Sequence, residues 1–168
     1  MRDALPLVLT LVVVLGSVAG CASEPVDEPD AVVLELGTGA WRFEPLEDGQ
    51  RVDLIRGAQG GWHVWTSVRS AGFAPDDALL ELETQIADES MPAIETSVQI
   101  HLEPLDSMGR RSYIGWPNQL VNPGCLVDQL LRIRATLSDS SGTIATDERM
   151  IVPGGGADPP PPCGSTGI

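Results

Sequence analysis

From Ala31 to Val152 the chain places apolar residues at every second position, and that spacing limits what it can fold into. Side chains on an extended strand point alternately to opposite faces, so a period of two buries one face and leaves the other wet. Val32, Leu34 and Leu36 open the pattern, and Trp41 and Phe43 continue it after the break at Gly37-Thr38-Gly39. Both Trp41 and Trp62 read as core. Glu47-Asp48-Gly49 is a tight turn, because Asp-Gly accepts the positive φ that such turns demand. Val52 and Leu54 follow, closed by Gly57 and Gly60-Gly61.

The longest runs lie in the middle. Trp62, Val64, Thr66 and Val68 share one face of a strand, and His63, Trp65, Ser67 and Arg69 share the other. Leu80, Leu82, Thr84 and Ile86 alternate with Glu81, Glu83 and Gln85; Ile94 to Leu102 repeats the arrangement with Glu95, Ser97, Gln99 and His101 outward. Arg111 to Trp116 is a short segment of less definite type, Leu131 to Leu137 alternates again, and Thr143 to Val152 does so less cleanly. No window of about eleven residues after the tether keeps a helical period. Short strands with turns between them, each apolar on one face, specify an all-β fold in which two antiparallel sheets pack as a β-sandwich. At this size an immunoglobulin-like arrangement is the default. Its usual disulfide is missing, since Cys125 and Cys163 do not flank a buried strand tryptophan, and a jelly roll or small barrel stays open as an alternative.

Ahead of this domain, Ala4 to Val14 is apolar, with no charge after Asp3, and too short for a permanent membrane helix. It has the character of an export signal. It runs into Val18-Ala19-Gly20-Cys21, which resembles the lipobox of bacterial envelope lipoproteins, with Val18 where Leu is commonest. The resemblance covers the first 21 residues. It implies cleavage before Cys21, a lipid on that thiol, and attachment of the protein to a membrane through it. Ala22, in place of an aspartate, implies the outer membrane of a Gram-negative bacterium. An ordinary secretory signal cut nearby would instead leave Cys21 as a free thiol. The expected organisation is a signal over 1–20, an acidic tether over 21–30, the sandwich over 31–152, and a Gly/Pro-rich tail over 153–168. With Cys21 lipidated, Cys125 and Cys163 remain for one disulfide in an oxidising compartment, pinning the tail to the domain.

The formal net charge is −14, and all ten basic residues are arginine. Such a chain repels phosphate backbones, so nucleic acid is not an expected partner, and basic charge cannot supply membrane attachment. Catalytic motifs are missing: there is no Gly-x-Ser-x-Gly elbow, and Gly154-Gly155-Gly156 lacks the lysine of a phosphate loop. A carboxylate pair for glycoside cleavage stays open, as it does for any acidic sandwich. Asp76-Asp77 and Asp147-Glu148 lack the spacing of a Ca²⁺ loop. No cofactor is expected, and no metal site is assigned. The expectation is a non-catalytic binding or structural module, with His63, Trp65 and Arg69 as its binding face. Two alternatives stand beside it. Trp65 on a polar sheet face suits a carbohydrate-binding module, and His63 with His101 would suit a Cu or Zn carrier if their strands were neighbours.

Overall fold

The computed structural model describes residues 31–165. Cys21, the signal and the acidic tether lie outside the described residues. Two sheets face each other. In the first, β5 (Trp62–Ala71) is central: β8 (Arg111–Leu120) runs along one edge, while β1 (Val33–Thr38) and β4 (Ile55–Arg56) share the other. A two-residue strand, β2 (Glu44–Pro45), pairs with the far end of β1. The second sheet has the order β3 (Gln50–Asp53), β10 (Ile144–Gly154), β9 (Leu131–Ser138), β6 (Ala78–Ile86), β7 (Ile94–Ile100). All pairings are antiparallel except β3 with β10, which is parallel, so the second sheet is mixed where a purely antiparallel one was expected. The reason lies in the short connections on either side of β3. The chain leaves the first sheet after β2, crosses to the second for β3, and returns for β4. No α-helix occurs among the described residues.

The period-two residues meet between the sheets. Leu36, Val64 and Val68 from the first sheet pack against Leu80, Leu82, Ile133, Leu137 and Ile151 of the second, all essentially inaccessible. Each such side chain contributes about 1.5–3 kcal/mol through burial. Along one seam, Asp147 of β10 accepts a 2.7 Å hydrogen bond from the backbone N–H of Leu36 in β1 and pairs with Arg149 at 3.1 Å. A carboxylate of the second sheet thereby satisfies an edge donor of the first.

Three sequence expectations change. Trp41 is not core: its side chain is 94% exposed. Residues 39–43 form a loop, and Phe43 is the aromatic that tucks in. Its ring lies where a Cβ on Gly37 would be, 2.5 Å from the nearest ring atom, so only glycine at 37 admits it. Arg111 onward is a full ten-residue strand that carries a bulge, with Thr66 opposite Trp116 but Val68 opposite Tyr113. The extra residue is accommodated by Gly115 at φ +78. Finally, β10 runs on through Pro153 and Gly154, which pair with Val52 and Asp53, so the sheet takes two residues assigned to the tail.

The remainder of the tail is fastened by the expected Cys125–Cys163 disulfide. Trp62 Nε1 donates to the Asp158 carbonyl at 2.9 Å, and Arg56 pairs with the Asp158 carboxylate at 3.1 Å. These contacts hold the tail at the Trp62 end of β5. The first described residues lie at the opposite end, where Val33 pairs with Ala71, about 30 Å away at the usual rise of a strand. Replacing Cys125 and Cys163 with serine is expected to lower stability by about 2–4 kcal/mol in urea unfolding. An unchanged midpoint would show that Trp62 and Arg56 hold the tail without the covalent link.

Candidate ligand cleft at the seam of the sheets

The outward face of β5 carries the four residues that alternation assigns to it, but it is not a flat open surface. The loop over residues 39–43 lies across half of it, tied down by one buried hydroxyl. Ser67 Oγ accepts the Gly115 N–H at 3.0 Å and donates to the Gly39 carbonyl at 3.0 Å. The bulge is what permits this approach, since a Cβ on Gly115 would stand 2.6 Å from the Ala40 carbonyl oxygen. Arg69 is covered as well. Its guanidinium lies 4.1 Å from the centre of the Phe43 ring and 4.0 Å from Glu35, which also binds Arg110 at 3.1 Å. A stacked and paired guanidinium of this kind fixes the loop on the sheet. Of the expected face, Arg69 therefore holds structure together.

The other half of the face is only partly covered. His63 and Trp65 touch edge to face, with ring centres 4.5 Å apart. His63 is only 6% exposed, and its Nε2 has no hydrogen-bond partner among the described residues. Trp65 is half-buried and lines a cleft of about 320 Å³, at the small end of the range for ligand sites. One wall is Thr38-Gly39-Ala40, whose position is set by the Ser67 relay and by Thr38 Oγ1 donating to the Trp65 carbonyl at 2.7 Å. The facing wall is Gln50 to Asp53 of β3, with Glu44 and Ile55 completing the lining. The cleft thus occupies the seam where β1, β2 and β4 of one sheet meet β3 of the other. Trp41, the exposed indole, is the next residue after the Thr38–Ala40 wall.

The polar groups of this lining sit at the surface. Arg51 meets Asp128 at 2.7 Å and Glu44 meets Arg42 at 2.9 Å, both in exposed pairs, and Gln50 Oε1 accepts the Glu47 N–H at 2.9 Å. The Asp53 side chain makes no hydrogen bond or ion pair among the described residues. An apolar ring flanked by donors and acceptors can stack against the C–H face of a ring-shaped polar molecule while its hydroxyls are hydrogen-bonded at the edges. Sequence reading pointed to Trp65 but missed both walls. The only local signals for them were the Gly37 and Gly39 break and the Asp48-Gly49 turn, which say that the chain reverses without saying where it then lies.

The two histidines are not neighbours. His63 belongs to the first sheet, whereas His101 follows β7 of the second and bonds Asp76 at 2.7 Å on the surface. Among the described residues no group of three or more His, Cys, Asp or Glu is placed to hold a metal ion. Asp147 and Glu148 are likewise separated in role: Asp147 fastens the seam, and Glu148 binds Arg134 at 2.9 Å.

Burial holds the His63 pKa below the usual value of about 6.5. Because the folded state disfavours the imidazolium, this group costs no stability above about pH 6.5. Stability falls as the pH drops through that value, where the unfolded chain takes up the proton, and levels off below the folded-state pKa. Unfolding of the wild type and His63→Gln in urea at pH 7.5 and pH 5 is expected to show a smaller acid-induced loss for the variant. Equal losses would place the acid sensitivity elsewhere.

No protein-family model, curated protein or solved structure matches this chain.

Proposed function

We propose that this chain is a non-catalytic, glycan-binding module of the bacterial cell envelope, held to the membrane by lipid on Cys21. The observation that carries the reading is the cleft at Trp65: a half-buried indole in a lining whose side chains offer both donors and acceptors. Such lining favours a neutral polyhydroxylated ring. An anionic sugar is disfavoured by a net charge of −14 and by Glu44 and Asp53 in the lining itself.

The position of the cleft supports the envelope address. Tether and lipid would leave the domain at the Ala31 end, and the cleft is formed by Thr38 at the far end of β1 and by Ile55 of β4, beyond the Val33–Ala71 pair. A domain held by its tether at one pole therefore turns its cleft away from the bilayer. On this reading, which the lipobox supports, the ligand is met in the periplasm or at the cell surface, on the outer membrane of a Gram-negative cell. The immunoglobulin-like arrangement belongs to the same proposal. Its support is the strand order, in which β1 joins β5 in one sheet while β3, a few residues later, lies parallel to the last strand of the other.

The mature protein is expected to bind soluble neutral oligosaccharides with a change in tryptophan fluorescence. Trp65→Ala should weaken binding at least tenfold, equivalent to about 1.4 kcal/mol, and Trp65→Phe should retain part of it, with both variants giving wild-type circular dichroism. Unchanged affinity in a folded Trp65→Ala protein would reject the cleft as the site.

A further inference from the structure

The seam opposite the cleft is built differently. There the first sheet ends at β8, and β8 lies over β6: Asn118 Nδ2 donates to Thr84 Oγ1 at 2.9 Å, both groups fully buried. The second sheet extends one strand further, so β7 overhangs. It pairs with β6 alone, without a register shift, and the alternate N–H and C=O groups on its other side point away from the sheet. Natural edge strands are commonly guarded by proline, by a bulge or by an inward-pointing charge. Ile94–Ile100 has none of these. Its inward residues Ile94, Thr96 and Val98 are only half-buried, whereas Leu80, Leu82 and Thr84 opposite them on β6 are fully buried. Beside Ile94 opens an aliphatic pocket of about 300 Å³, lined chiefly by Ile86, Met91, Val121, Leu126 and Leu131. Two of its polar side chains are committed, Thr84 to Asn118 and Gln85 to Arg132 and the Met91 carbonyl; the third, Asn122, stands at its rim.

We propose that β7 accepts one more strand from a partner: an extended segment with aliphatic residues on one face and Lys or Arg on the other. The added backbone would take up the free edge groups of β7, and an aliphatic side chain would enter the pocket beside Ile94, finishing the burial of the half-covered inward residues. Charge on the outward face selects the partner's other side. Glu83, which Arg132 holds at 3.2 Å, stands directly opposite Glu95 across the β6–β7 pair, and Glu95 is the uncompensated charge of the two. With Glu81 they line a shallow groove of about 490 Å³, in which Arg134 is already bound to Glu148. Glu81 and Glu95 have no ion-pair partner among the described residues, so cations arriving on the added strand compensate them. A second copy of this chain is the wrong occupant on the same grounds, since two acidic faces and two net charges of −14 would be brought together.

The test uses a nine-residue peptide alternating Lys with Val, titrated into the mature protein. Binding should slow hydrogen exchange at alternate amides between Ile94 and Ile100 and shift the methyl signals of Ile94 and Val121. N-methylation of alternate peptide residues along the protein-facing edge should abolish binding, whereas methylation along the other edge should leave it intact. Glu81→Lys/Glu95→Lys should weaken the basic peptide about tenfold. The proposal is overturned if both methylated peptides bind alike, or if a Glu/Val peptide binds as well as the Lys/Val one. It is equally overturned if β7 amides are protected by concentration-dependent self-association that the peptide does not compete away.

Discussion

β5 is paired along both edges and packed on both faces, and that double burial decides where the other parts of the molecule can lie. Its inward side chains, Val64 and Val68, anchor the first sheet on the core. Its outward side chains do the opposite of what an ordinary solvated strand face does: Ser67 and Arg69 hold a loop against the sheet, and His63 and Trp65 support each other beside it. Removing water from both faces makes every polar group on the strand costly unless it is satisfied. Ser67 meets that demand with two hydrogen bonds, and Arg69 meets part of it with an aromatic ring and a carboxylate at 4.0 Å. His63 Nε2, Thr66 Oγ1, Arg69 Nε and Ser70 Oγ have no hydrogen-bond partner among the described residues, and His63 is the one of these that touches the indole of the cleft.

The cleft is a consequence of that arrangement rather than an addition to it. The covering loop, which starts at Gly39 and Ala40, comes down where the bulge at Gly115 gives it room, and Trp65 stays only half-covered beside it. The second wall exists because β3 leaves the first sheet for the second between two strands that stay. Binding surface in this domain is therefore created where strands change sheets. The same principle governs the opposite seam: an offset between sheets leaves β7 with one edge and part of its inner face uncovered. The two seams differ in chemistry, the first offering polar groups around a ring and the second a backbone edge beside aliphatic side chains and carboxylates.

Much of the fold was legible from the sequence, because alternation with a period of two states directly which side chains meet in the core: Leu80, Leu82, Ile133 and Leu137 lie where it puts them. The disulfide was legible from counting cysteines. Trp41 was not, because alternation cannot tell a strand from a loop of similar composition; glycines at 37 and 39 were the physical cause of the reversal, and Phe43 competed successfully for the space. The candidate site was half legible. Trp65 stood out as an aromatic on a polar face, yet the walls that make a cleft of it, Thr38–Ala40 and Gln50–Asp53, lie well away from it in the chain, joined by contacts that no local pattern encodes. Arg69 looked like part of a binding face for the same reason, since nothing in the sequence says that Phe43 will lie over it.

The central claim is that Trp65 contacts a ligand from within the cleft. The most direct measurement is the Nε1 proton resonance of each indole during titration of the mature protein with soluble neutral oligosaccharides. The account predicts a saturable shift of the Trp65 resonance, with Trp62, whose Nε1 is occupied by the Asp158 carbonyl, left in place. A Trp65 signal unmoved at concentrations that saturate binding elsewhere on the domain would contradict it.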